Sequence, residues 1–280
     1  MTVVPPSVVP QPVVPQSGSR LRWAAADGLT LTGRYLSHLR RQPELLVNAI
    51  GFPILMVIIF VYLFGGMMAV PGGGDYRSAL LPGLFAMTML FGISSTMVAV
   101  VTDAQRGITD RFRSMPMSSS AVLLGRAAAD MLISTIALAA LLLAGLAVGW
   151  RAHNGLWPAL GAVGLLLLLR FSLLWVGIYL GLIVRGPGAV TAVQTLEFPV
   201  AFLSGLFVAP ASMPVVVSTI AEWNPLSATA AAARELFGNS GWGGDSWIAQ
   251  HAVLAAVLWP LLILTVFAPL SVRRYREMSR

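Results

Sequence analysis

The chain has 280 residues, of which 57% are hydrophobic and only 10% charged, and its formal charge is +7. That is more apolar side chain than the interior of a water-soluble protein of this length can hide, so lipid is the expected solvent for most of it. The positive charge does not indicate nucleic acid, because the basic residues lie between apolar blocks and not on one face beside stacking aromatics. All 18 basic residues are arginine. Without lysine there is no Walker A loop, which excludes a conventional P-loop ATPase. Cysteine is absent, removing disulfides and thiolate chemistry, and His38, His153 and His251 are far apart, so no metal site is expected.

Residues 1–19 are rich in Pro and Val and carry no basic residue before Arg20, which reads as a disordered, uncleaved cytoplasmic tail and not as a signal peptide. Leu31, Tyr35 and Leu39 form an i, i+4 stripe opposite Arg34, His38 and Arg41, the pattern of an amphipathic helix at the cytoplasmic interface. A solvated basic linker is the alternative. Pro43 ends this segment, and apolar blocks follow near 46–66, 78–102, 121–149, 158–184, 189–208 and 248–270. Each is long enough for a ~30 Å hydrocarbon core, so the expected fold is an all-α polytopic membrane protein with six transmembrane helices, and residues 20–280 form one transmembrane domain. The pairs Gly145-x-x-x-Gly149 and Gly177-x-x-x-Gly181 permit close helix approach.

Arginine bias orients the spans. On the six-span map Arg20, Arg22, Arg34, Arg40, Arg41, Arg106, Arg111, Arg113, Arg126, Arg185, Arg273, Arg274, Arg276 and Arg280 share one side, against Arg77, Arg151 and Arg234 on the other. Both termini are therefore expected in the cytoplasm.

Three features go beyond topology. The loop from Asp103 to Pro116 places Asp103, Arg106, Asp110, Arg111 and Arg113 around Ile108 and Phe112. A polar rim about an apolar centre is the makeup of a docking surface, which a plain orientation signal would not require. The segment between the fifth and sixth blocks is broken repeatedly, at Pro199, Pro210, Pro214, Asn224 and Pro225, and carries Arg234. Irregular backbone at membrane depth needs protein or a water-filled cavity around it, so short re-entrant helices at the outer end of a pathway are expected. Arg170 and Glu197 each lie within an apolar block, joined by the tight Arg185-Gly-Pro-Gly188 turn, and a buried ion pair is the simplest reason for two charges there. Counting from that turn leaves an axial gap of ~9 Å, which side-chain reach or a water must span. Arg126 and Asp130 read as a structural i, i+4 pair.

The stretches Arg40 to Gly66, Arg106 to Pro116 with Gly125, Arg126 and Asp130, and Pro199 to Asn239 together resemble the ABC type-2 permeases, particularly the daunorubicin-resistance branch. The resemblance implies a coupling helix at Arg106, Asp110, Arg111, Phe112 and Arg113 that touches a separate ABC ATPase, and outer re-entrant helices around Pro210, Pro214, Asn224, Pro225 and Arg234. It further implies a complex of two permease and two ATPase copies in the plasma membrane, with ATP and Mg bound by the partner and no cofactor in this chain. Export of a drug, antibiotic or lipid is the implied function, and Met56, Met87, Met89 and Met97 are expected to offer an adaptable apolar surface to such cargo. Two rivals remain at this point. One is a proton-coupled transporter with Glu197 as relay, and the other is an intramembrane protease built on Ser94 and His251, which the map places at different depths.

Overall fold

The computed structural model describes residues 43–64, 75–105, 119–184, 187–243 and 246–278. The tail at 1–19 and the expected interfacial helix lie outside these residues. The described elements are α1 (Pro43–Ile59) with a π turn (Phe60–Phe64), α2 (Tyr76–Gln105), α3 (Ser119–Ala147), α4 (Leu156–Ile183), α5 (Pro187–Phe202), a 3-10 turn (Pro210–Ser212), α6 (Val215–Trp223), α7 (Pro225–Phe237), α8 (Trp247–Gln250) and α9 (Ala252–Glu277). No strand occurs among the described residues.

Four helices are long and apolar enough to cross a bilayer, Tyr76–Gln105, Leu123–Ala147, Leu156–Ile183 and Ala252–Glu277, and a shorter apolar helix covers Ile50–Leu63. The fifth expected block is helical only over 16 residues, α5. At helical rise that is ~24 Å, short of the hydrocarbon core. Pro199 lies inside it, and past Phe202 the chain turns, with the Leu203 amide bonding the Pro199 carbonyl at 2.7 Å and the Ser204 hydroxyl bonding the Ala201 carbonyl.

Helix α4 is the centre of the bundle, contacting α2, α3, α7 and α9, and its Leu166, Leu169, Leu174 and Ile178 are fully covered. The face of α9 away from α4 leaves Leu254, Leu258, Leu262 and Val266 exposed, as a lipid-facing helix does. On α6, Val215, Val216 and Ile220 are likewise exposed.

Lipid tails supply no hydrophobic force between helices, so α2 and α4 must be held by close contact and polar bonds. Glycine makes the contact. A Cβ at Gly177 would lie 2.6 Å from the Ile93 carbonyl oxygen and 2.9 Å from Thr96 Cβ, and one at Gly181 would lie 2.7 Å from Val100 Cβ. The other pair of the same spacing acts differently. Gly145 has only ordinary contacts near 3.5 Å, and Gly149 ends α3 at φ 98°, a conformation that favours glycine.

Gly177→Ala is therefore expected to destabilise the protein by about 1–3 kcal/mol through overpacking. Gly164→Ala, also within α4 but with open space around its Cβ, should be neutral or slightly stabilising. Thermal unfolding in detergent of the two variants checks this, and equal shifts would remove the close contact from the account.

Candidate functional site: a broken-helix cap and two buried charges

The segment after α5 folds into a cap over one end of α2. Pro210 begins the 3-10 turn, Pro214 precedes α6, and Pro225 occupies the first turn of α7, where a missing amide hydrogen leaves no bond unmade. Asn224 joins three elements. Its Oδ1 accepts from the Leu226 amide at 3.0 Å, capping α7, while its Nδ2 donates to the carbonyls of Val200 (3.1 Å) and Leu203 (3.2 Å) at the end of α5. Helix α7 ends on Gly238 at φ 68°, with the amides of Gly238 and Asn239 returning to the carbonyls of Glu235 and Arg234.

Arg234 holds the cap to the bundle. Its side chain is buried, and its guanidinium donates to the carbonyls of Ala79 on α2 (2.6 Å), Gly205 (3.1 Å) and Leu206 (2.7 Å). Trp242 donates its indole N–H to the same Gly205 carbonyl at 2.7 Å and lays its ring 5.2 Å from the Arg234 charge. The charge is thus met by carbonyl dipoles and a π face, with no carboxylate paired to it among the described residues. Ser227 accepts from the Gly205 amide at 2.8 Å. Gly83 makes the approach possible, since a Cβ there would lie 2.8 Å from the Leu206 carbonyl oxygen and 3.2 Å from Arg234 Nη2. A cavity of about 300 Å³ beside Arg234 touches Gly205, Pro210, Ser227 and Trp242, room enough for water to serve the irregular backbone.

Deeper along α2 lie the two intramembrane charges, and they are not in ion-pair contact. Arg170 Nε donates to the Ser134 hydroxyl at 2.7 Å and Nη2 to the Thr96 hydroxyl at 2.8 Å. Glu197 accepts from the Ser94 amide at 2.8 Å and lies 2.9 Å from the Ser94 hydroxyl. Each charge is therefore dissolved by hydroxyls of other helices, and the pairing across the ~9 Å gap expected from the sequence is not a direct contact among the described residues. The physical reason is that α2 stands between them, presenting Thr96 to α4 and Ser94 to α5. Gly92 gives Arg170 its room, because a Cβ at that position would lie 2.5 Å from the guanidinium carbon. Ser94 also lies 3.2 Å from the Phe91 carbonyl. One hydroxyl hydrogen cannot serve both acceptors, so this geometry accommodates Glu197 either as a carboxylate or as an acid donating to Ser94.

Arg126 bonds Asp103 across helices at 2.9 Å and lies 3.3 Å from Asp130, the partner that its spacing indicates. The contact with Asp103 was not legible from spacing. Arg106, Asp110, Arg111, Phe112 and Arg113 lie outside the described residues. Met87, Met89 and Met97 are buried in the bundle, so they fill its interior and do not form an adaptable surface. Ser94 and His251, the residues of the protease alternative, bond different partners, His251 standing against the Trp247 carbonyl and ring.

Arg234→Met should leave the buried carbonyls without their donor and lower stability by about 3–5 kcal/mol. Arg234→Lys should restore little, because one ammonium cannot reproduce a planar fork across three acceptors. Thermal unfolding of both variants checks this, and a lysine variant as stable as the parent would refute the forked clamp.

The chain is similar to known transport proteins. Residues 28–237 match the family described as ABC-2 type transporter. Over 268 residues the chain is 32% identical to the daunorubicin resistance ABC transporter permease protein DrrB1 of Streptomyces coeruleorubidus, covering 94% of this chain and 91% of that protein. A match of this extent, on a bundle of membrane-length apolar helices, establishes that the chain belongs to the ABC-2 type transporter family as a membrane-spanning permease subunit.

Proposed function

We propose that this permease is the transmembrane half of an ATP-driven exporter, acting as two copies with two copies of a separate ABC ATPase, and that its cargo is a hydrophobic or amphiphilic drug, antibiotic or lipid. The observation that carries the reading is the arrangement of α2. At one end it holds the broken-helix cap through Ala79 and Gly83, and at the other it leads from Asp103 into residues 106–118. Residues 79 and 103 are ~36 Å apart at helical rise, so the two features belong to opposite sides of a bilayer.

On this reading α1 with its π turn, α2, α3, α4, α5 with the turn that follows it, and α9 are the six spans of a domain covering residues 20–280. Helices α6 and α7 are re-entrant at the outer surface. Both termini face the cytoplasm, as the arginine distribution favours, and membrane lipids surround the helices in the plasma membrane. Support for two copies comes from α5, which contacts α2 and leaves Leu196, Phe198, Phe202 and Leu203 exposed. A second permease is the natural cover for such a face. The name of the Streptomyces relative favours a drug as cargo.

Coupling is assigned to Arg106, Asp110, Arg111, Phe112 and Arg113, with Phe112 as the apolar anchor in an ATPase cleft and the arginines meeting acidic groups at its rim. Truncating a central anchor commonly costs ~2 kcal/mol or more of binding. Phe112→Ala should therefore insert and fold normally but co-purify with less ATPase and transport less. Unchanged assembly and transport would reduce the segment to an orientation signal.

A further inference from the structure

Among the described residues, Arg170 Nη1 and Asp130 Oδ2, both buried at the seam of α2, α3 and α4, have no hydrogen-bond partner. Arg170 has a relative exposure of 2% and Asp130 of 8%. Native structures seldom leave such groups unsatisfied, and a charged one is the least tolerable of all. The two atoms are complementary, one donating and one accepting. The residues that carry them share Ser134, whose hydroxyl accepts from Arg170 Nε at 2.7 Å and donates to the backbone carbonyl of Asp130 at 2.8 Å.

The seam is continuous in sequence and space. On α3, Arg126, Asp130 and Ser134 recur every four residues and so share one face. On α2, Gly92, Thr96 and Asp103 share another, within about 40° at 3.6 residues per turn. Side-chain contacts run from Asp103 to Arg126 (2.9 Å), Arg126 to the Asp130 carboxylate (3.3 Å), Ser134 to Arg170 (2.7 Å) and Arg170 to Thr96 (2.8 Å), with Ser134 also bonding the backbone carbonyl of Asp130 (2.8 Å). Asp103 and Arg126 flank residues 106–118 on their two sides.

We propose that Asp130, not Glu197, is the counter-charge of Arg170, joined to it by a buried water between Asp130 Oδ2 and Arg170 Nη1, and that this seam transmits displacements of residues 106–118 into the membrane. A water accepts from Nη1 and donates to Oδ2 at once, with the Ser134 hydroxyl as third neighbour, the usual complement for a buried water. Arg170 is then a positioning residue. Wedged against Gly92, it locks α2, α3 and α4 together, and a pull on Asp103 or Arg126 reaches α4 through it. The transmission rests on the reading that residues 106–118 meet the ATPase, whereas the Asp130–Arg170 joint does not.

The experiment uses the full-length permease with its ATPase. Thermal unfolding is measured in two double-mutant cycles, Asp130→Asn with Arg170→Met and Glu197→Gln with Arg170→Met. Asp130→Asn and Arg170→Met should each lower the Tm by about 6 °C or more, and their combination by no more than the worse single. The Glu197 cycle should be additive. In proteoliposomes Asp130→Asn should keep its ATPase partner but lower transport per ATP hydrolysed by about 2- to 30-fold. If Arg170→Met does not accumulate, Arg170→Gln, which keeps a donor, takes its place in both cycles. Additive losses for Asp130 and Arg170, coupling to Glu197 in their stead, or an unchanged transport-to-hydrolysis ratio would overturn the proposal. Normal assembly of Phe112→Ala with a non-additive Asp130–Arg170 cycle would remove the transmission and leave the joint standing.

Discussion

The structure depends on the contact between α2 and α4. Gly177 and Gly181 let the two backbones approach until a single added methyl group would collide, and Arg170 is wedged from α4 against Gly92 of α2. Once α2 is fixed, everything else of functional interest is attached to it. Its first turns receive the Arg234 clamp, its middle supplies Ser94 and Thr96 to the two membrane charges, and its last turns hold Arg126 through Asp103. A shift of α2 by a fraction of a helical turn would disturb all three places together.

Hydrogen bonding in a solvent that offers none explains why arginine appears at both buried positions. Arg234 satisfies three carbonyls of a segment that cannot form a helix, and Arg170 bridges hydroxyls from two helices. A lysine would present a compact charge with a far larger desolvation burden for fewer fixed contacts. The cap and the seam use the same physics for different ends. In the cap a fixed charge organises irregular backbone, and in the seam it organises the meeting of three regular helices.

How much of this could be read from the sequence differs by feature. The apolar blocks announce their helices because a membrane span needs an uninterrupted run, and among the described residues four helices of membrane length and a shorter apolar one are found. The block at 189–208 misleads, since Val208 and Phe207 are as apolar as any helix while α5 ends at Phe202. The spacing of Gly177 and Gly181 is legible as a packing seam, yet of Gly145 and Gly149, with the same spacing, the first makes only ordinary contacts and the second ends a helix. Arg170 and Glu197 are conspicuous, but their partners are not. Ser94, Thr96 and Ser134 look like ordinary membrane-helix hydroxyls that bond their own backbone, and only the relative rotation of the helices reveals that they face the charges. Arg234 is placed by the sequence in the outer re-entrant segment, but its burial against the carbonyls of Ala79, Gly205 and Leu206 follows from the path of the chain around it.

The central claim is that transport by this permease draws its energy from a separate ATPase. The most direct measurement is uptake of a fluorescent hydrophobic cation into inside-out proteoliposomes containing the permease and its ATPase partner. The account predicts uptake that requires ATP, disappears when the ATPase carries a substitution abolishing hydrolysis, and is indifferent to a protonophore. Uptake that persists with the inactive ATPase and collapses with the protonophore would contradict it and return Glu197 to the role of a proton relay.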